Sequence, residues 1–297
     1  MARVTRIKLI ANPVAGRHAR RRIQHAIEWF RAAGVNVDLT LTGARGDARR
    51  AAAKARTQGY ERIVAAGGDG TLNEVVNGLV PSPIPLAFLP LGTTNVFALE
   101  AGIPLDLPAA CRVALEEPGV PVSLGVANDT RFLLMASAGL DAEAVFRVSP
   151  GLKRGLGKGA YLASALRALL LAPPQDFTVL TAAGESIPCF GAIISNGRLY
   201  GGSFVIAPQA SLTVASFEVC LLLKPGRLAL LGAALALAAG RPLASAAALR
   251  LQTPQLQLLG KGVAVQLDGD YFCRLPVALR IASDELRLVM PAKEKAR

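Results

Sequence analysis

A short apolar strand runs directly into Gly67-Gly68-Asp69-Gly70 and then into Thr71-Leu72-Asn73-Glu74, and this junction constrains the chain more than any other stretch. Residues 63–66, Ile-Val-Ala-Ala, predict a buried strand of a parallel sheet, and residues 71–79 predict a helix. A turn at the carboxyl end of a parallel strand is where open α/β sheets bind ligands. Glycines there let the backbone approach a phosphate closely and adopt positive φ. The helix start offers unpaired N–H groups to an anion. Asp69 adds a carboxylate suited to holding Mg2+ or accepting a proton. A plainer reading makes Thr71 and Glu74 a capping box at the helix start, which leaves Asp69 unexplained. No Gly-Lys-Ser/Thr follows, so the loop is not a Walker A loop.

The flanking sequence repeats the alternation of strand and helix. Strands are expected at 7–11, 35–41 and 86–89, and helices at 17–33 and 48–56. Ile23, Ile27 and Phe30 fall on one face of the first helix. Residues 1–122 therefore read as an α/β domain with a mostly parallel sheet. Its strands end in polar or glycine-bearing loops: Asn12-Pro-Val-Ala-Gly16, the segment from Thr42, the glycine loop, and Pro90-Leu-Gly-Thr-Thr-Asn95. Four such loops at one sheet edge form a nucleotide crevice, although Thr94 or Asn95 could equally cap the next helix.

From about residue 121 the texture changes. Short apolar runs at 131–137, 177–181, 191–195, 217–223, 263–267, 277–281 and 286–290 are separated by turn signals. They predict a β-sandwich domain over 123–297, interrupted by helices near 159–171 and 228–239. The last strand and tail are free to pack back on the first domain.

The formal net charge is +12 over 297 residues, with arginines concentrated at Arg17, Arg20, Arg21 and Arg22 and at Arg45, Arg49 and Arg50, and a third basic group at Lys153, Arg154 and Lys158. Zinc-finger spacing and RNP-like aromatic strands are missing, so an anionic membrane is the expected partner and nucleic acid is not. Cys111, Cys189, Cys220 and Cys273 lie far apart without a CxxC pair, which argues against a zinc site and suits a reducing cytoplasm. The longest apolar stretch, 228–239, falls short of the ~20 residues a membrane span needs. The expectation is a cytoplasmic protein in transient contact with the inner membrane face.

The three loops Asn12-Pro-Val-Ala-Gly16, Gly67-Gly-Asp-Gly-Thr-Leu-Asn-Glu74 and Pro90-Leu-Gly-Thr-Thr-Asn95 resemble the hallmark loops of the diacylglycerol kinase catalytic domain, a family that includes bacterial lipid kinases, sphingosine kinases and ceramide kinases. The likeness continues through Gly139-Leu-Asp141-Ala142, through Asn196, Tyr200-Gly-Gly202 and Ala207-Pro208, and to Asp268-Gly269-Asp270. It implies an NAD kinase/diacylglycerol kinase-like fold and an ATP-dependent lipid kinase that phosphorylates a hydroxyl of a lipid such as diacylglycerol. The nucleotide would lie on Asn12, Thr42, Gly67, Gly68, Asp69, Gly70, Thr71, Asn73, Glu74, Gly92, Thr93, Thr94 and Asn95. Asp268 and Asp270 would be catalytic, with Asp69 organising Mg2+ and phosphate. Metal-assisted phosphoryl transfer needs such carboxylates. Read without the resemblance, Asp268-Gly269-Asp270 is a hairpin turn.

Three positions depart from the family pattern. Ala15 stands where a Ser is usual, and Asp270 where a Glu is usual. Val214-Ala215 stand where bacterial members carry the Asp-Gly of a structural Mg2+ site, so no structural Mg2+ is expected here. Two alternatives keep the fold: an NAD kinase-like small-molecule kinase, and a catalytically weak lipid-binding or regulatory protein.

Overall fold

The computed structural model describes residues 4–139, 142–143, 175–223 and 248–292, in two compact units. The first comprises Met1–Leu124 with Ala282–Arg297, and the second Gly125–Ile281. The helices expected at 159–171 and 228–239, together with Asp141, Lys153, Arg154 and Lys158, lie outside the described residues.

The first unit is built on parallel strands β1 (Arg6–Ala11), β2 (Asn36–Leu41), β3 (Arg62–Gly67) and β4 (Leu86–Pro90), in the order β2-β1-β3-β4. Strands β3 and β4 are buried at every position, as expected where helices cover both faces of a parallel sheet. Lys8 is the polar exception in β1; its Nζ meets Asp38 Oδ1 at 2.8 Å, and Tyr60 donates its hydroxyl to the same carboxylate. Helix α1 (Ala19–Ala32) buries Ala19, Ile23, Ala26, Ile27 and Phe30, the stripe that a 3.6-residue period dictates. The other helices are α2 (Asp47–Ala55), α3 (Asp69–Leu79), α4 (Val96–Ala101) and α5 (Leu107–Glu116).

The chain reverses direction between β1→β2 and β2→β3. With right-handed crossovers, α1 and α2 therefore cover opposite faces of the sheet. Helix α1 packs on α5, and α2 on α3. The arginine groups at 17–22 and 45–50 consequently sit on opposite faces, although both lie near the carboxyl edge. Helices α2 and α3 approach backbone to backbone: a Cβ on Gly78 would lie 2.1 Å from the Arg49 carbonyl oxygen. Helix α5 is N-capped by Asp106, which accepts from the Ala109 N–H at 3.1 Å. At its other end the buried Arg62 guanidinium donates to the carbonyls of Ala114 and Glu117.

Strand β18 (Val277–Val289) is one 13-residue strand where the sequence suggested two, at 277–281 and 286–290. The polar stretch Ser283-Asp284-Glu285 resembles a turn, and Asp284 has φ 61°, but the strand continues through it. Its distal half joins the first unit, with Leu288 aligned in parallel to Leu86 of β4. Strand β5 (Gly119–Ala127) also pairs with β18, and Arg287 donates to the Gly119 carbonyl at 2.8 Å.

The second unit is antiparallel. One sheet runs β14 (Ala248–Thr253), β13 (Phe217–Leu222), β10 (Gly191–Ser195), β7 (Met135–Gly139), β16 (Ala264–Leu267) and β17 (Asp270–Arg274). The proximal half of β18 pairs with β15 (Gln255–Leu259), followed by β8 (Phe177–Thr181) and β9 (Ser186–Cys189). Strand β6 (Thr130–Phe132) pairs with β5, and β11 (Leu199–Tyr200) with β12 (Phe204–Val205). A shared core of Phe132, Phe177, Val179, Ile194, Phe217, Val219, Leu258, Val265 and Leu279 fills the unit. The strand expected at 131–137 is broken into β6 and β7 at Leu133-Leu134, whose amides turn to a carboxylate from the β16–β17 hairpin.

Candidate active site

In the first unit, the four carboxyl-edge loops are fastened to one another through backbone. Leu91 and Gly92 both donate N–H to the Gly67 carbonyl, at 2.8 and 3.0 Å. The Asn12 N–H donates to Ala66 O at 2.9 Å, and the Thr42 N–H to Ala11 O at 2.9 Å. A Cβ on Gly92 would lie 2.7 Å from Gly68 Cα, and one on Gly16 2.3 Å from the Leu91 carbonyl oxygen. Gly16 also has φ 76°, which reserves the position for glycine. Within 67–70, by contrast, no glycine has positive φ, and close approach requires glycine at Gly67, whereas a Cβ on Gly68 would meet Gly92 Cα only at 3.6 Å. Gly67 itself has Thr71 Oγ1 where its Cβ would be, at 2.5 Å.

Asp69 opens α3 and points away from it. Its two oxygens accept the N–H groups of Val96 and Phe97, each at 3.0 Å. Asp69 therefore caps α4, the role the sequence left to Thr94 or Asn95. Asn95 holds the N-cap position at φ 50° without a side-chain cap bond. Its Nδ2 donates to Gly92 O at 2.8 Å, while its buried Oδ1 accepts no hydrogen bond. Burial pushes the Asp69 carboxyl upward, and the two backbone amides pull against that.

The capping box does not form. Helix α3 begins at Asp69, two residues before Thr71, so Glu74 sits in its second turn and caps a different helix. Glu74 accepts from Gly46 N at 2.9 Å and from Ala48 N at 3.2 Å, at the start of α2. Thr71 is buried, and Asn12 Nδ2 reaches its hydroxyl at 3.4 Å. Asn73 pairs through its Oδ1 with Asn77 Nδ2 at 2.7 Å. Thr93, Thr94 and Gly70 are exposed at the rim, and Thr42 is half-buried.

In the second unit, Asp268 stands at φ 47° in the β16–β17 turn. Its Oδ2 accepts from Leu133 N at 2.7 Å, and its Oδ1 from Leu134 N at 2.8 Å and Met135 N at 3.0 Å. A buried polar network lies beneath it. Gln266 Nε2 donates to Ser137 Oγ at 2.8 Å, and Gln266 Oε1 accepts the Gly269 N–H at 2.7 Å. Asn196 Nδ2 donates to Leu133 O at 2.7 Å. Gln266 and Ser137 went unnoticed in the sequence; the only signal was an amide inside the otherwise apolar run 263–267. Asp270, two residues on, is exposed.

The Val214 turn is occupied by its own hydroxyls, Ser211 Oγ and Thr213 Oγ1 being 3.0 Å apart. Glu218 nearby in sequence accepts from Gln209 N and pairs with Arg250 at 2.7 Å. Burial drives the thiols of Cys111 and Cys189 up to about 12, so neither is a nucleophile at neutral pH.

Among the described residues, no three His, Cys, Asp or Glu side chains converge on a point. Mg2+ demands octahedral oxygen coordination and commonly takes one or two carboxylates plus substrate phosphates. The Asp69 oxygens already accept backbone amides, so these described residues fit a Mg2+ that would be carried mainly by nucleotide phosphates. Among the described residues, no helix is long and apolar enough to cross a membrane.

Comparison with known proteins agrees with this geometry. Residues 6–127 match the diacylglycerol kinase catalytic domain, and residues 135–290 match the YegS C-terminal NAD kinase beta sandwich-like domain. The chain is 34% identical over 282 residues to a "Probable lipid kinase YegS-like" of Pseudomonas putida, covering 91% of this chain and 90% of that one. It is 30% identical over 300 residues to a diacylglycerol kinase of Bacillus subtilis, covering 98% of each. A solved structure from Bacillus anthracis str. Sterne, described as a "putative diacylglycerol kinase", has the same fold, with a TM-score of 0.82 at 21% identity over 98% of this chain and 99% of that one. The expected fold class is thus observed: a mostly parallel α/β unit and a β-sandwich unit, in a chain that belongs to the diacylglycerol kinase family of phosphotransferases.

Proposed function

We propose that the protein transfers the γ-phosphoryl group of ATP to a hydroxyl of a lipid such as diacylglycerol, drawn from an anionic membrane surface. The observation that supports this most is the backbone-lined cradle at the carboxyl edge of the parallel sheet. There the glycine loop Gly67–Gly70 leads into the start of α3, where phosphate oxygens would meet backbone, and the loop 90–95 closes against it. Thr42, Thr93 and Thr94 supply hydroxyls around the nucleotide, with Asn12 and Asn73 beside the glycine loop. Mg2+ bound to the phosphates would neutralise charge developing on the transferred group.

The catalytic carboxylate in this reading is Asp270, which is exposed on the β16–β17 turn. It takes the hydroxyl proton as the lipid oxygen bonds to the γ-phosphorus and the bond to the β-phosphate oxygen breaks, releasing ADP. Asp268 is a positioning residue: it fixes the β6–β7 break and the turn from which Asp270 projects. Asp69 holds the cradle shut by capping α4.

The test is purified protein with labelled ATP and Mg2+ against vesicles that contain diacylglycerol, phosphatidylglycerol or a sphingoid base, with NAD in a separate arm. Label in a lipid product is expected. Label in NADP alone, or no transfer from ATP to any acceptor, would overturn the reading.

A further inference from the structure

Two carboxylates, Glu74 and Asp47, hold the loop that carries Thr42. Loop 42–46 joins β2 to α2. Its last residue, Gly46, is the N-cap of α2 at φ 87° and has no side chain with which to cap. Glu74, from the second turn of α3, supplies what is missing: Oε1 accepts Gly46 N at 2.9 Å and Oε2 accepts Ala48 N at 3.2 Å. A carboxylate also suits the positive end of the α2 dipole. From inside α2, Asp47 reaches back, and its Oδ2 accepts Gly43 N at 2.8 Å and Ala44 N at 2.7 Å. Arg50 pairs with the other Asp47 oxygen. Four amides between Gly43 and Ala48 are thus committed to two side chains. Helices α2 and α3 are locked together below them, where Gly78 lies against the Arg49 carbonyl. The shape of loop 42–46 is therefore dictated by α3, the helix that begins at the glycine loop.

We infer that Glu74 and Asp47 form a clasp that sets affinity for the nucleotide by presenting Thr42, and that Glu74 does so without touching the nucleotide. The inference rests on the cradle being the nucleotide site. It assigns Glu74 a positioning role where the sequence suggested direct contact. With the clasp open, loop 42–46 must be ordered on each binding event, so loss of Glu74 weakens ATP binding and leaves the transfer step alone.

Two measurements test this on the full chain. In steady-state kinetics, Glu74→Ala is expected to raise the KM for ATP about tenfold or more while kcat and the KM for lipid stay within about threefold. Glu74→Gln keeps one acceptor and should fall between Glu74→Ala and wild type; it also carries the test if the alanine variant fails to fold. In amide hydrogen exchange without ligand, the segment 43–48 of either variant should exchange about tenfold faster than in wild type, and the glycine loop should not change. Unchanged exchange at 43–48 would overturn the clasp. Faster exchange with an unchanged KM for ATP would overturn its link to nucleotide while sparing the kinase reading. A collapse of kcat at constant KM would make Glu74 catalytic and also overturn the inference. If wild type binds no ATP by calorimetry, the nucleotide reading itself fails, and the exchange result still shows whether the clasp exists.

Discussion

At the edge of the parallel sheet, Asp69 commits its two oxygens to the amides of Val96 and Phe97 and starts a helix. In the sandwich, Asp268 commits its two oxygens to the amides of Leu133, Leu134 and Met135 and breaks a strand. Both sit in Asp-Gly turns whose motifs suggest chemistry, and both fold a distant segment to themselves. They differ in the residues immediately C-terminal to them. Asp69 is the first residue of α3, and the exposed Gly70 that follows it has no side chain. After Asp268-Gly269 comes a second, exposed carboxylate, Asp270. The comparison teaches that the acidic residue in a glycine turn can be the scaffold of a site; under the proposed function, the reacting group is then Asp270, the acid that is exposed.

The sharpest way to break this comparison is to separate activity from stability at the three aspartates. Asp270→Asn should lower kcat by about 10²–10⁴-fold with no change in thermal midpoint, the range expected for loss of a general base. Turnover near wild type in that variant would return the catalytic role to one of the half-buried aspartates, Asp69 or Asp268. Asp268→Asn turns an amide NH2 toward backbone donors and leaves a buried N–H without an acceptor. A loss of about 1–3 kcal/mol in denaturant unfolding is expected, with activity falling in step. Asp69→Asn should cost about 1–2 kcal/mol for the same reason, since one of its two amide partners is orphaned. It should also raise the KM for ATP as the 90–95 loop loosens. If Asp69→Asn removes all turnover from a fully stable protein, Asp69 is chemical and the parallel with Asp268 fails.

A smaller effect is expected at the membrane. Vesicle co-sedimentation should rise with anionic lipid content and fall with salt, each engaged arginine contributing about 1 kcal/mol. Because α1 and α2 cover opposite sheet faces, replacing Arg20 and Arg21 by Gln should not have the same effect as replacing Arg49 and Arg50. Equal loss from both would point to contact through the carboxyl edge that the two helix starts share.

The smallest effect concerns the Lys8–Asp38–Tyr60 cluster. The hydrogen bond from Lys8 and then that from Tyr60 hold the Asp38 carboxyl below its ordinary 3.8. Its stabilisation is thus full above that value and is lost as pH falls through the lowered one. Burial first, and Asp38 second, push Tyr60 above 10.0, so its contribution is full below pH 10 and is lost as pH rises through the raised value. Asp38→Asn should flatten both ends of a stability–pH curve, each by under about 1 kcal/mol because Asp38 is half exposed.

The parallel strands were legible because full burial writes an unbroken apolar run, as at Ile63-Val-Ala-Ala66 and Leu86-Ala-Phe-Leu89. The loops that end them were legible for the same reason, since each begins where the run stops. What the sequence hid was partnership at a distance. Nothing in Asp69 announces Val96, 27 positions on, and nothing in Glu74 announces Gly46, 28 positions back. The local pattern Thr-x-x-Glu offered a capping box because the helix start was placed two residues late. Helix α4, six residues long, was anticipated only as the helix that Thr94 or Asn95 would cap, and α5 escaped notice because its second residue is a proline. Strand β18 read as two because Asp284, at positive φ, looks from sequence like the end of a strand.

The cradle is made of backbone packed on backbone: Gly16 against the Leu91 carbonyl, and Gly92 against Gly68. At these contacts there is no room for a larger residue, so this part of the cradle is closed to gradual change by point substitution. Variation is left to the rim, where Val14, Thr93 and Thr94 are exposed. Under the proposed function, nucleotide preference is therefore easier to change at this rim and at loop 42–46 than in the backbone-packed floor, which makes the rim positions natural sites for a saturation library.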